Sequence, residues 1–244
     1  RKYLRATRCV GRTIGSRAHL YGPQCAIAGG GGGATRVLFQ RGSATVKVET
    51  SPVMRGVVFE PETRRVTAAV EDEFGFAETK IVAFEDLFAR KIHAALDRQH
   101  PRDLFDVKPL YENQGITDDL FRAFLVYVAI SNRPPHEFLN PNLSPLGDVF
   151  AKEFSGMTAG PISIGNLDAV RVRLIDDIRS RLKEGAAQFL RALVEGAPDF
   201  DAIGLPSATA LPAVQWKVRN ILKLREANPE THAAQRASLE DLLA

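Results

Sequence analysis

The stretch EDLFARKIHAALDRQHPRDLFDV, residues 85–107, contains two consecutive helical patterns separated by a proline. Counting 100° per residue from Leu87, the large apolar side chains Phe88 and Leu96 fall at about 100° and 180°, which predicts an amphipathic first helix. Lys91 and Arg98 fall at about 40° and 20°, on the edge of the apolar arc. The lysine either extends past its apolar neighbours to solvent or points into a cleft that holds an anion.

The dipeptide His100-Pro101 is predicted to end this helix, and Pro101 can serve as the first residue of the next one. Asp103 and Asp106 are three residues apart and therefore share a face of the second helix. Arg102 and Asp106 are four residues apart and could form an ion pair. The simpler interpretation is a surface ion pair in a first turn, where acidic side chains favour the helix dipole.

Upstream of this stretch, residues 36–51 are predicted to form a β-hairpin. In its second strand, Val46 and Val48 alternate with Lys47 and Glu49, so the two valines share one face and the two charged side chains share the other. We expect the valine face to be buried. The opposite face presents a carboxylate beside an ammonium group, and the alternative is a half-exposed strand with a solvated polar face.

Further short strands are predicted at residues 57–59 and 80–84, and the pattern downstream of Glu112 is helical. Helices are predicted over residues 118–131, 167–194, 213–225 and 230–243. The sequence thus predicts an α+β protein with a mixed front part and a helical back part. We divide it into an irregular or degenerate segment at 1–34, a mixed core at 35–112 and a helical domain at 113–244.

The bulk composition excludes several classes of protein. The 244 residues carry a net charge of +3, and no apolar run approaches the roughly 18 residues that would cross a bilayer. Only two cysteines occur, which fits a reducing, cytoplasmic setting better than a disulfide framework. Glu49 is the first acidic residue of the chain. The preceding basic segment is either an arm that contacts nucleic acid or a stretch that has lost its original role.

Four segments taken in order resemble the AbiEii family of bacterial nucleotidyltransferase toxins, which act in abortive infection and toxin–antitoxin systems. The segments are VKVE at 46–49, MRG at 54–56, LFARKI at 87–92 and ALDRQHPRDLFDV at 95–107. The resemblance is dense from about residue 36 to 111, continues loosely to about 224, and is not seen in 1–34. It implies a partial polymerase-β-like core, a small mixed sheet with flanking helices, followed by a helical carboxy-terminal region.

The resemblance also implies a chemistry, the transfer of a nucleotide from a nucleoside triphosphate to an acceptor such as tRNA, with Mg²⁺ held by carboxylates. A cognate antitoxin is an implied partner. Carried over to this sequence, Glu49 resembles a metal-binding carboxylate and Lys47 its neighbour on the same face. Lys91 resembles the lysine that contacts the triphosphate, and Asp103, with Asp106 as second choice, resembles the acid that orients this lysine or acts as a base. The expected phosphate contacts or supporting residues are Arg98 and Arg102.

The chain departs from the family pattern in one respect. A Gly-Gly or Gly-Ser turn followed by Asp-x-Asp normally supplies two metal ligands, whereas residues 17–34 after Gly15-Ser16 contain no acid. Either the motif lies upstream of Arg1, or the chain no longer performs the chemistry. The competing hypotheses are therefore a catalytically inactive module that binds nucleotide, RNA or an antitoxin, and a helical interaction protein unrelated to transfer.

Overall fold

The structure is a computed structural model, and it describes residues 24–28, 36–41, 43–49 and 56–244. Its contacts divide the chain into two compact units, Arg1–Met54 and Arg55–Ala244. Strands occur in both units, and the second unit is mainly helical. The α+β class with a helical carboxy-terminal region is thereby confirmed, whereas the domain boundaries at 34/35 and 112/113 stay predictions.

The first unit contains a three-stranded antiparallel sheet in the order β1–β2–β3. Its strands are β1, Gln24–Ala28, β2, Arg36–Arg41, and β3, Ala44–Glu49. The pairing of Arg41 with Ala44 and of Arg36 with Glu49 confirms the predicted hairpin. Strand β1 was not predicted, because it lies in the segment that we took as irregular.

The predicted burial of the valine face of β3 is wrong. Val46 and Val48 are 59% and 45% exposed, and Lys47 is exposed as well. Strand alternation determines which side chains share a face, but another layer must pack on that face to bury it. The sequence pattern of a single strand carries no information about that second layer.

The second unit begins with a small two-stranded sheet and continues as a series of helices. Its strands are β4, Glu62–Arg65, and β5, Glu78–Ile81, which pair antiparallel on either side of helix α1, Ala68–Phe74. The longer helices are α2, Phe84–Arg98, α3, Pro101–Asn113, α4, Asp118–Ala129, α7, Ile164–Ser180, α8, Glu184–Val194, α9, Pro212–Ala227, and α10, Pro229–Leu243. Two short helices, α5, Pro135–Leu139, and α6, Gly147–Glu153, connect α4 to α7.

Several boundaries differ from the sequence prediction. Residues 57–59 form an irregular segment instead of a strand, and the acidic residues 71–73 belong to α1. The single helix predicted over 167–194 is two helices, α7 and α8, separated at residues 181–183. Both helices bury apolar side chains, so one continuous periodic pattern concealed the break.

Helix α4 forms the centre of the core. Its side chains from Ala123 to Ala129 are all buried, and α2 packs along it. Helix α3 packs against both α2 and α7, and this packing fixes the angle between α2 and α3. Within the described residues, no helix is both long and apolar enough to span a membrane.

Lys217 on α9 is a buried lysine that donates hydrogen bonds to two backbone carbonyls instead of pairing with an acid. Its Nζ lies 2.6 Å from the carbonyl oxygen of Ser131 and 3.0 Å from that of Arg133. Burial lowers the pKa of Lys217 from 10.5 to about 8, because the charged form loses its hydration. The lysine therefore connects α9 to the end of α4 at an electrostatic cost.

This cost predicts a pH-dependent stability. Between pH 8 and 10.5 the unfolded chain binds the Lys217 proton more tightly than the folded chain, so the contribution of this residue to stability increases with pH in that window. Relative to Lys217→Met, the parent should gain up to roughly 3 kcal/mol between pH 7 and 10.5. Urea unfolding of both proteins at several pH values measures the difference, and a pH-independent difference would contradict the assignment.

Candidate functional site

The corner between α2 and α3 positions the charged side chains of the opening stretch. Gln99 ends α2 in the left-handed conformation, with φ 50°, and its backbone N–H donates to the carbonyl of Ala95. The ring of His100 then accepts a hydrogen bond from the backbone N–H of Arg102, and Pro101 is the first residue of α3. The predicted stop and restart at His100-Pro101 is confirmed.

The side chain of Gln99 fixes this corner to distant parts of the second unit. Its amide nitrogen donates to the carbonyl of Asn142 at 2.6 Å, and its amide oxygen accepts from the backbone N–H of Ser144 at 3.1 Å. Buried Arg171 on α7 donates to the same amide oxygen at 3.0 Å and to the carbonyl of Ser144 at 2.6 Å. Because each of these buried polar groups has a partner, the angle between α2 and α3 is strongly specified.

Two ion pairs connect α2 and α3 near the corner between them. Nζ of Lys91 lies 2.7 Å from Oδ2 of Asp106, and the guanidinium of Arg98 makes a bidentate pair with Asp103 at 2.6 and 2.9 Å. We call these four residues the cation–carboxylate cluster. Lys91 is 29% exposed in its side chain and Asp106 47%, so the pair lies at the surface, where an incoming anion can reach it.

Asp103 and Asp106 have the opposite partners to those that we expected. Asp106, the second choice, is the partner of Lys91, whereas Asp103 pairs with Arg98. Arg102 is exposed, and in the described part of the chain its guanidinium makes neither a hydrogen bond nor an ion pair. The suggested pair of Arg102 with Asp106 is therefore not formed, because Lys91 occupies this carboxylate from the other helix.

A pocket of about 380 Å³ lies between the amino-terminal end of α2 and the carboxy-terminal end of α3. The aromatic rings of Phe84 and Phe88, with centroids 4.5 Å apart, form one side of it. The other lining residues are Glu85, Pro109, Leu110, Asn113 and Gln114. Phe88 and Lys91 are one turn apart on α2, so the pocket extends the same helix–helix groove that contains the Lys91–Asp106 pair.

Lys47 and Glu49 lie on β3 of the first unit, and the cation–carboxylate cluster belongs to α2 and α3 of the second. Lys47 is exposed. That both side chains point into the same cleft as Lys91 and Asp103 stays a prediction.

Among the residues that the structure describes, no group of three or more His, Cys, Asp or Glu side chains could hold a metal ion. Asp103 and Asp106 each already pair with a cation, which makes them poor additional ligands. The α2–α3 groove therefore presents cationic side chains but does not fit a metal centre by itself.

Asp86 is a buried acidic residue that the sequence analysis did not identify. It is completely buried, yet its carboxylate accepts hydrogen bonds from the backbone N–H groups of Val58 and Phe59 and from the hydroxyl of Tyr127 at 2.6 Å. Burial, and then the hydrogen bond to Asp86, raise the pKa of Tyr127, which keeps its hydroxyl protonated. On the helical wheel Asp86 falls at about 260°, and the buried face extends from Ala95 at about 80° to this position.

The role of Asp86 follows from its partners. Two of them are backbone N–H groups in the irregular segment at 57–59. This segment belongs to no strand or helix whose backbone hydrogen bonds would satisfy these groups. The carboxylate thus holds this segment against α2 and α4, and we assign it a structural role. The sequence did contain one signal for Asp86. On the helical wheel of α2, Asp86 lies at the end of the apolar arc that is farther from Lys91.

Comparison with known proteins adds one match. The family model described as nucleotidyl transferase AbiEii toxin, type IV TA system, matches residues 6–220. No curated protein and no solved structure matches the chain. The match includes most of the segment 1–34, in which we had expected no resemblance, and it ends close to the expected limit at 224.

These findings define the class of the protein as a nucleotidyl transferase. Within that class, the chain belongs to the AbiEii toxin family of type IV toxin–antitoxin systems. The family implies a nucleoside triphosphate as substrate and an antitoxin as partner, and nucleotidyl transferases generally use a divalent metal.

Proposed function

We propose that the α2–α3 groove binds a nucleoside triphosphate, with Lys91 contacting the triphosphate and Asp106 holding the lysine in place. The observation that supports this most directly is the 2.7 Å pair between Lys91 and Asp106 across two helices. A lysine on the edge of an apolar arc loses rotamer freedom when it is fixed in this way, and a surface ion pair alone offsets little of that loss. Fixing a compact charge at the mouth of a groove does suit a phosphate contact.

Each remaining cluster residue has a place in this proposal. Asp103 positions Arg98, whose guanidinium is 62% exposed at the side chain and can contact a second phosphate oxygen. Exposed Arg102, one position before Asp103, is available for the acceptor strand. In the transfer, an acceptor hydroxyl attacks the α-phosphorus, the bond to the β-phosphate oxygen breaks, and pyrophosphate leaves with the charge that Lys91 and Arg98 help to neutralise.

The neighbouring pocket fits the nucleobase of the same substrate. Its volume of about 380 Å³ is within the range of small-molecule sites, and the rings of Phe84 and Phe88 offer an apolar surface for a planar base. The side-chain amides of Asn113 and Gln114 can both donate and accept hydrogen bonds at the base edge. Phe88 and Lys91 are one helical turn apart on α2, so the proposed base and triphosphate contacts are separated by one turn.

We propose further that Glu49 contributes one ligand to a Mg²⁺ ion, that Lys47 contacts phosphate, and that the acceptor is an RNA such as tRNA in the cytoplasm. Mg²⁺ prefers near-octahedral oxygen ligation, for which one carboxylate is insufficient. The stretch from Arg1 to Val48 contains no Asp or Glu. We therefore infer that the 244-residue chain retains nucleotide binding but transfers poorly, which is the behaviour of an inactive module derived from the family.

The experiment measures triphosphate binding and transfer in parallel. The chain is incubated with each labelled triphosphate and total tRNA at several Mg²⁺ concentrations, beside an amino-terminally extended form. We expect binding of at least one triphosphate by both proteins and little or no labelled RNA from the 244-residue chain. Robust, metal-dependent labelling by the 244-residue chain would show that its metal ligands are complete, and loss of all triphosphate binding would refute the groove as a nucleotide site.

A further inference from the structure

Helix α9 carries an exposed stripe of four residues that is separate in sequence from the α2–α3 groove. Trp216 is 54% exposed although it is the one tryptophan in the sequence and a large apolar side chain. Arg219, Asn220 and Lys223 follow it at positions three, four and seven, within about 60° of it around the helix, and all three are exposed. We call these four residues the α9 stripe.

The opposite face of the same helix explains why Trp216 points outward. Val214 and Lys217 are buried, and Lys217 is bonded to the carbonyls of Ser131 and Arg133. These contacts fix the rotation of α9 about its axis. The tryptophan next to Lys217 in sequence is consequently presented to solvent by a rigid element.

The cations of the α9 stripe differ from those on the neighbouring helices. Arg191 on α8 pairs with Glu240, and Arg236 on α10 pairs with Glu195. Arg219 and Lys223, in contrast, have no ion pair or hydrogen-bond partner in the described part of the chain. Two unneutralised cations, one and two turns beyond the aromatic ring of Trp216, thus form a cationic surface with one planar apolar group.

We propose that the α9 stripe binds a single-stranded nucleic acid, with one base stacked on Trp216 and the adjoining phosphates contacted by Arg219 and Lys223. Aromatic stacking beside a positive surface is the physical basis of sequence-tolerant single-strand binding. One tryptophan beside two cations is too small an apolar area for the core of a stable protein interface. The side-chain amide of Asn220 can bond a base edge or a phosphate oxygen.

This proposal goes beyond the nucleotide site and does not depend on it. The α9 stripe begins inside the family match and extends past its last residue at 220. The stripe would hold an acceptor strand whether or not the α2–α3 groove performs transfer. Binding of an oligonucleotide and binding of a triphosphate are therefore separable measurements.

The single tryptophan allows a direct test. Titration of the full chain with a mixed-sequence oligoribonucleotide of about 12 nucleotides should quench Trp216 fluorescence, because a nucleobase stacked on the indole ring quenches its excited state. In anisotropy measurements with the same labelled oligonucleotide, Trp216→Ala should weaken binding by between about five- and a hundred-fold. Trp216→Phe keeps a stacking ring and should recover part of this loss.

The charges are tested separately. Arg219→Gln with Lys223→Gln should weaken binding at least tenfold and reduce the slope of log affinity against log salt by about 1.4, for two lost phosphate contacts to a single strand. Lys152→Gln with Lys183→Gln removes two exposed charges elsewhere and should leave both values near those of the parent. If the two double variants bind alike, the stripe is not the binding surface.

The source of the strand is distinguished by two further probes. A DNA oligonucleotide of the same sequence that binds as tightly as RNA supports recognition through bases and phosphates, and weaker DNA binding supports an additional contact to the 2′-hydroxyl of RNA. Fully double-stranded RNA should bind less tightly, because its bases are not available to Trp216. A duplex that binds as well as the single strand would overturn the proposal.

Discussion

Replacing Lys91 with alanine is expected to lower triphosphate affinity by roughly 10- to 100-fold. The lysine contributes a charge-assisted contact of about 1.5–3 kcal/mol to a phosphate group. Stability should change little, because the Lys91–Asp106 pair is partly exposed and such pairs contribute about 0–1 kcal/mol. Calorimetric titration with triphosphates and urea unfolding provide the two measurements.

Two control variants separate phosphate binding from the ion pair. Lys108→Ala removes a lysine that pairs with Glu112 on the same α3 helix, so it is a matched loss of a charge and an ion pair at a residue that does not line the pocket. It should leave triphosphate affinity unchanged. Asp106→Asn breaks the ion pair but keeps the charge of Lys91, so its effect should be smaller than that of Lys91→Ala. A Lys91→Ala protein that binds triphosphate as the parent does would remove this residue from the site.

Replacing Asp86 with alanine should cost about 3–5 kcal/mol in the free energy of unfolding. The change leaves two backbone N–H groups and the Tyr127 hydroxyl buried without an acceptor, in addition to a small cavity. Asp86→Asn keeps one acceptor oxygen and should lose less. Tyr127→Phe removes one donor while the other two remain, so about 1–1.5 kcal/mol is expected.

Urea unfolding followed by circular dichroism measures this series. Asp72→Ala provides the comparison, because Asp72 is an exposed acid on α1, and the change should stay within about 0.5 kcal/mol of the parent. If Asp86→Ala also falls within that range, the segment at 57–59 does not depend on the carboxylate. An order of loss in which Tyr127→Phe exceeds Asp86→Ala would equally contradict the assignment.

The elements that the sequence predicted well are those with a local cause. The end of α2 and the start of α3 follow from Pro101, and the hairpin of β2 and β3 follows from alternation within each strand. The position of Lys91 at the edge of the buried face of α2 was likewise a consequence of helix periodicity. These features depend on neighbours within about seven residues, which a single sequence displays directly.

The features that the sequence did not predict depend on distant residues. Asp86 is bonded to Tyr127, 41 positions away, and nothing near Asp86 indicates that partner. The exposure of Val46 and Val48 depends on which layers pack on β3. The choice between Asp103 and Asp106 as the partner of Lys91 depends on how α3 crosses α2, and that crossing is determined by tertiary packing.

The polar contacts of Gln99 also determine when the α2–α3 corner can be completed during synthesis on the ribosome. The residues that secure the corner, Asn142, Ser144 and Arg171, are translated 43, 45 and 72 codons after Gln99. At about 5–20 residues per second, the last of them is added roughly 4–14 seconds after the corner itself. A nascent chain therefore carries α2 and α3 for several seconds before the contacts that fix the angle between these two helices can form.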